Sequence, residues 1–318
     1  MIKLKNVTKK YGKFEALKGI SFEVKEGEVV GLLGANGAGK STTMNIITGF
    51  IEQTSGKVLV NEIDVLKKPS KAKKLIGYMP EGVPLYNDLT VKEFVKYMAE
   101  LKRVNKKEIK EKVLKVLEDT GLLDVQNKLI KNLSRGYKQR VSLAGTLVSE
   151  PKVIILDEPT VGLDPKQVTD FRELIKKLGK EHTVILSSHI LSEVSQICNR
   201  VIIINKGEIV AVDTPENLEQ KVSNKNILYV TVEDTENKVI TMKEKIQGII
   251  EIKLEKTNED GTKQYSIQAE EGLDIRKSLF ADFAKENITI FEMKKADTSL
   301  EEAFMKLIEK GEKNESNI

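Results

Sequence analysis

The chain has one cysteine, no tryptophan and two histidines in 318 residues. A single thiol, Cys198, cannot build a disulfide framework within one chain, and its apolar neighbours in 195–204 predict a buried, inert side chain. Long apolar runs are also missing. Stretches such as 29–33 and 201–204 fall far short of the roughly 18 residues that a membrane-spanning helix needs. Any membrane role must therefore come through a partner. The first twenty residues carry Lys3, Lys5, Lys9 and Lys10 where a secretory signal would be apolar, so a reducing cytosol is the expected compartment. A dominant charge sign is absent too. Lys and Arg number 52 against 48 Asp and Glu, and the basic residues are interleaved with acids rather than gathered into a stripe. No nucleic-acid partner is expected from such a surface.

What is present is a strong change of pattern along the chain. Residues 2–8 and 20–24 alternate apolar and polar, as half-exposed antiparallel strands do. Continuous apolar runs then appear at Val29–Leu33, Val153–Leu156, 184–186 and 201–204, and these suit buried strands of a parallel sheet. Between them, residues 91–121 are charged and periodic (Val91, Phe94, Val95, Met98, Leu101, Ile109, Val113, Val116, Leu117), which predicts a helical insert over about 85–150. The strong apolar strands stop at Pro215, and the polar stretch 214–226 predicts a domain boundary. Residues 226–318 show a second pattern. Strands are expected at 227–232, 249–256, 264–269 and 288–293, with helices at 238–247, 273–285 and 299–310. That order, βαββαβ with one added helix, predicts a ferredoxin-like α+β accessory domain.

Three places carry chemistry. Gly34, Ala35, Asn36, Gly37, Ala38, Gly39, Lys40, Ser41 and Thr42 fit GxxxxGK[ST] between an apolar strand and a helix. Small residues there let backbone N–H groups curl around phosphate oxygens, Lys40 can reach the β- and γ-phosphates, and the Ser41 hydroxyl can ligand Mg²⁺. Downstream, the apolar strand 153–156 ends in Asp157 and Glu158, where a parallel sheet opens its ligand crevice. Asp157 suits Mg²⁺ through its water shell, and Glu158 suits activation of a water. A lone pair of adjacent acids reads equally as a solvated strand exit.

The third place names a family. Leu133-Ser134-Arg135-Gly136-Tyr137 resembles the LSGGQ signature of ATP-binding-cassette (ABC) ATPases, with Arg and Tyr at the third and fifth positions. Val161-Gly-Leu163-Asp164-Pro165 resembles the family's D-loop, Ser187-Ser188-His189 its switch histidine, and Tyr11 the aromatic that stacks on adenine. Six motifs in order over residues 1–215 are far more specific than any one alone. Glu81 stands where the family usually has glutamine; a carboxylate can accept from metal-bound water but has no N–H for phosphate. His182, among charged residues, reads as an ordinary surface histidine.

The resemblance implies a P-loop ABC ATPase domain, a mixed sheet with a helical insert, that hydrolyses ATP with Mg²⁺. Ser134 and Gly136 are expected to face the ATP of a second such subunit, in a homodimer or a heterodimer, and Asp164 of the D-loop is expected among the nucleotide-binding residues. The arrangement most resembles the bacterial drug, antibiotic-resistance, sodium and gliding exporter-type cassettes, and the closing 297–304 looks like that group's tail. An integral-membrane permease on a separate chain is then expected, with this chain peripheral on the cytoplasmic face. Leu85, Tyr86 and Leu89 beside Glu81 read either as its docking surface or as packing within the insert. The alternative is a non-transport ABC ATPase acting on nucleic acid or in regulation. Against it, there are no sustained heptads for coiled-coil arms and only one phosphate loop.

Overall fold

The computed structural model describes residues 1–82, 85–218, 226–234, 238–270 and 272–295. They fall into two units divided along the chain between Pro215 and Glu216. The first unit runs β1 (Ile2–Tyr11), β2 (Phe14–Val24), β3 (Val29–Leu33), α1 (Lys40–Ile47), β4 (Ser55–Val60), β5 (Ile63–Asp64), α2 (Pro69–Leu75) and β6 (Ile76–Met79). The insert follows as α3 (Val91–Leu101), α4 (Ile109–Asp119) and α5 (Arg135–Leu147). It returns to the sheet with β7 (Val153–Leu156), α6 (Pro165–Leu178), β8 (Thr183–Ser188), α7 (Leu191–Ser195), β9 (Arg200–Asn205) and β10 (Glu208–Asp213).

Two sheets result. One is antiparallel, in the order β2-β1-β4-β5, and the other has six strands in the order β10-β9-β3-β8-β7-β6. In the second, β9, β3, β8, β7 and β6 pair in parallel and β10 adds antiparallel at the edge. Every residue of β3, β7 and β8 is buried, which is why these strands read as unbroken apolar runs with both faces covered. Val30, Leu32, Ile155, Ile185 and Ile202 pack with Met44, Ile46 and Ile47 of α1 in one core. Each fully buried aliphatic side chain there stabilises the fold by roughly 1.5–3 kcal/mol. That packing fixes the first turn of α1 at the carboxyl ends of the parallel strands.

The insert differs from a single periodic stretch. α3 opens with a capping box of Thr90 and Glu93 and ends near Arg103, whose φ of 57° leaves the helical region. α4 then starts afresh at Ile109. α5 begins at Arg135, because the Ser134 hydroxyl accepts the Tyr137 N–H and caps it.

The second unit contains β11 (Asn226–Glu233), α8 (Lys238–Thr241), β12 (Ile249–Thr257), β13 (Lys263–Ala269), α9 (Arg276–Lys285) and β14 (Thr289–Lys295). Its sheet is antiparallel in the order β12-β13-β11-β14. Tyr265, Phe283, Leu279, Val230 and Val232 form its core. Asp234 is buried there, accepting from the Lys238 and Val239 N–H groups and from the Tyr265 hydroxyl. The helix expected over 238–247 is shorter, giving way after Thr241 to a 3-10 turn at Met242–Glu244. The one expected over 273–285 starts at Arg276. The expected helix at 299–310 and the 297–304 tail lie outside the described residues.

Candidate active site

The loop between β3 and α1 is shaped by close approach. A Cβ on Gly34 would lie 2.4 Å from the Ile204 carbonyl oxygen, and one on Gly39 would lie 2.8 Å from Leu17 Cδ2. Gly39 also holds a φ of 113°, which side chains resist. Its carbonyl receives the Thr43 hydroxyl at 2.9 Å, locking the first turn of α1. The helix N-terminus thus points its free N–H groups at the loop. Lys40 is buried, and its ammonium donates to the Gly34 carbonyl at 2.8 Å and the Ala35 carbonyl at 3.2 Å. Ser41 is exposed and Thr42 half-buried beside it.

The acidic pair at the end of β7 meets this loop. Glu158 Oε1 lies 3.3 Å from Lys40 Nζ, and Glu158 Oε2 lies 3.0 Å from His189 Nδ1. A carboxylate only accepts, so Nδ1 carries the proton of that bond. Three residues that are far apart in sequence, 40, 158 and 189, therefore stand in one line at the carboxyl edge of the parallel sheet. Glu158 is 7 % exposed while the His189 side chain is 45 % exposed, so the imidazole forms the solvent side of the line. Asp157, 3 % exposed, takes the Ser187 hydroxyl on Oδ1 at 2.6 Å. The same Ser187 oxygen accepts the Glu158 N–H at 2.8 Å. Ser187 thus orients both acids, a bridging role that nothing in the sequence pattern singled out. A small polar residue ending an otherwise apolar strand beside His189 was the available signal. Burial, with the Asp157 charge, pushes the Tyr78 hydroxyl up to about 12, so it stays a donor, here to Asn45 Oδ1 of α1 at 3.1 Å.

The other sequence-derived candidates lie elsewhere on the chain. Gly136 sits in the first turn of α5, where a Cβ would lie 2.6 Å from the Gln167 side chain of α6. Asp164 caps α6 by accepting the Gln167 N–H at 2.9 Å. Arg135 packs on Gly162, between the acidic strand and α6. The signature and D-loop segments are therefore neighbours, but among the described residues no hydrogen bond joins Ser134 or Gly136 to Lys40 or Glu158. Tyr11 is half exposed at the β1–β2 turn with the Lys9 ammonium 4.9 Å from its ring centre. Glu81 is exposed after β6. His182 is half-buried rather than fully on the surface, with Nδ1 2.7 Å from the Pro151 carbonyl oxygen. Burial raises the pKa of the Cys198 thiol, as expected of an inert cysteine.

A Gly-rich loop between a buried parallel strand and a helix, with its lysine ion-paired to the second of two acids at the end of another strand of the same sheet, defines a P-loop nucleotide hydrolase. The chain belongs to the ABC transporter family, whose profile matches residues 17–161. The linearmycin resistance ATP-binding protein LnrL of Bacillus subtilis is 32 % identical over 96 % of this chain and 98 % of its own length. The ABC transporter ATP-binding protein NatA of the same organism is 35 % identical, over 68 % of this chain and 89 % of its own. A dimeric ABC cassette solved in a post-hydrolysis state with ADP and Pi superposes with a TM-score of 0.61 at 31 % identity, covering 68 % of this chain and 99 % of that one. The protein is an ATP-binding, ATP-hydrolysing subunit of an ABC transporter. Among the described residues no helix is long and apolar enough to cross a membrane.

Proposed function

We propose that this chain powers an exporter, hydrolysing ATP in a dimer of cassettes held on the cytoplasmic face of the membrane by a permease on a separate chain. The observation that carries the chemistry is the line from Lys40 through Glu158 to His189. In this reading the N–H groups of residues 34–42 and the Lys40 ammonium bind the β- and γ-phosphates. Glu158 accepts the proton of the attacking water, and His189 steadies Glu158 and the γ-phosphate from the solvent side. Tyr11 stacks on adenine. Ser134, Gly136 and Asp164 complete the site of the second subunit.

The donors present suit Mg²⁺. The Ser41 hydroxyl and the Asp157 carboxylate are hard oxygens, and Ser187 already orients Asp157. Among the described residues no cluster of three His, Cys, Asp or Glu side chains forms a dedicated cage. Mg²⁺ in phosphate sites does without one, being held by one or two protein oxygens together with phosphates and water. Bound there, the ion neutralises charge building up on the phosphate oxygens.

Export draws its support from the linearmycin resistance of the full-length relative. We assign residues 1–215 to the ABC domain and 226–318 to a ferredoxin-like accessory domain, consistent with the βαββαβ order of its described elements. Three measurements test the reading. Lys40→Ala should abolish tight MgATP binding, whereas Glu158→Gln should keep binding and lose at least about 10²-fold in turnover. Near-normal turnover in Glu158→Gln would remove it from the general-base role. A strain lacking the chain should become more sensitive to linearmycin or to another toxic compound; screening that finds no sensitised compound would count against export.

A further inference from the structure

Glu158 holds a backbone conformation that its own side chain disfavours. Its φ of 47° lies in the left-handed region, and such a residue persists only where its surroundings over-determine it. Three hydrogen bonds hold the loop around it, two of them to its peptide groups. Ser187 accepts the Glu158 N–H at 2.8 Å, the Thr160 hydroxyl donates to Glu193 Oε2 at 2.7 Å, and the Gln139 amide donates to the Pro159 carbonyl at 3.0 Å. The first belongs to the site already described, and the second ties the loop to α7, just beyond His189. The third comes from another part of the molecule. Gln139 lies one turn into α5, the helix capped by Ser134 and containing Gly136.

We propose that Gln139 is a positioning residue that fastens the Glu158 carboxylate to the signature helix. The ATP met by the N-terminus of α5 is then sensed at this chain's own hydrolytic site. The inference rests on the reading above, in which Ser134 and Gly136 face the nucleotide of a second subunit. The two ATP sites of the dimer are then coupled through one hydrogen bond inside each chain. The direction of the effect follows from the local chemistry. Pro159 has no N–H, so its carbonyl is the only backbone hydrogen-bonding group of that residue, and it is buried. Without the Gln139 donor this carbonyl must turn to find another partner. The strained peptide beside it then relaxes, taking the Glu158 carboxylate off the line that it shares with Lys40 and His189.

The test compares the full chain with Gln139→Leu, which keeps size without a donor, Gln139→Lys, which keeps an N–H donor, and Glu158→Gln. Hydrolysis is followed over a range of MgATP concentrations, with thermal unfolding alongside. Gln139→Leu should lower kcat about tenfold with KM changed less than about twofold, and the Hill coefficient should fall below that of the wild type. Gln139→Lys should recover most of both. Wild-type kcat and cooperativity in Gln139→Leu would overturn the proposal. So would a loss that follows a lowered melting temperature and is not recovered by lysine. A wild-type chain that does not hydrolyse MgATP would overturn the reading of the site itself, and this inference with it.

Discussion

Ser187 offers the sharpest test of how the site is held. Its hydroxyl is fully buried, donates to Asp157 Oδ1 at 2.6 Å and accepts the Glu158 N–H at 2.8 Å. Ser187→Ala removes one oxygen and leaves almost no cavity, so the cost is that of two stranded polar groups. A hydrogen bond to a charged acceptor contributes roughly 1.5–3 kcal/mol, and a buried N–H left without a partner costs about 1–3 kcal/mol. The two losses share one atom and are not additive, so about 3 kcal/mol is the working figure. For a unit of about 200 residues, 1 kcal/mol moves the melting temperature by roughly 2–4 °C, and the drop should be about 6–12 °C. Calorimetry or urea unfolding of the full chain measures it. Ser188→Ala serves as the comparison, because that hydroxyl's bond is to the Ile190 N–H at 3.0 Å, and about 1 kcal/mol is expected. A shift under about 2 °C for Ser187→Ala would mean that Asp157 and Glu158 hold their places without the bridge.

Glu81→Gln should be tolerated or activating, since the amide restores a donor toward phosphate at similar volume; a hundredfold loss of basal hydrolysis, about 2.7 kcal/mol of barrier, would show that the carboxylate itself is used. Tyr86 is 52 % exposed and touches Tyr97 edge-on at 5.4 Å between ring centres. Tyr86→Asp should therefore leave hydrolysis and melting temperature near wild type while preventing co-purification with the permease, and a destabilised variant that still binds permease would refute docking. Burial of Glu28 opposes its charge, but the Arg200 guanidinium and the Lys25 N–H outweigh it and hold the carboxyl below its usual range. A lowered folded-state pKa gives stability that is present above the ordinary carboxylate range and lost as pH falls through the folded value. The melting temperature should thus fall on acidification below about pH 4–5. Arg200→Gln should flatten that dependence, and an unchanged acid profile in the variant would count against the pair.

Legibility followed burial. The strands β3, β7, β8 and β9 were readable because both of their faces are covered, leaving no polar residue to interrupt the run. β4 and β10 were not, since only half of β4 is buried and β10 is a half-exposed edge. α2 buries Ala72 alone and so shows no periodic face. The insert looked continuous because the apolar spacing resumes in register beyond Arg103, where the backbone turns. In the second unit, Asp234 holds the start of α8 with two N–H bonds, yet the helix ends six residues before the apolar spacing does. At the candidate site, sequence pattern named Lys40, Asp157, Glu158 and His189 as separate motifs. Their convergence, and the bridging by Ser187 and Gln139, depend on tertiary bonds between residues about 20 to 120 positions apart, and no local pattern encodes these.

The two neighbours of β3 in the sheet are β8 and β9, which are synthesised long after the phosphate loop that β3 leads into. A nascent chain that has emerged only through the helical insert has the loop but not the strands that flank it. Residue 204, whose carbonyl crowds Gly34, is not yet made, nor is His189. Nucleotide capture is consequently a late event in biogenesis, and retention on an ATP matrix reports that the whole cassette has closed rather than that its first motif has formed. Chains stalled or cleaved before Thr183 would pass through the cell without competing for nucleotide.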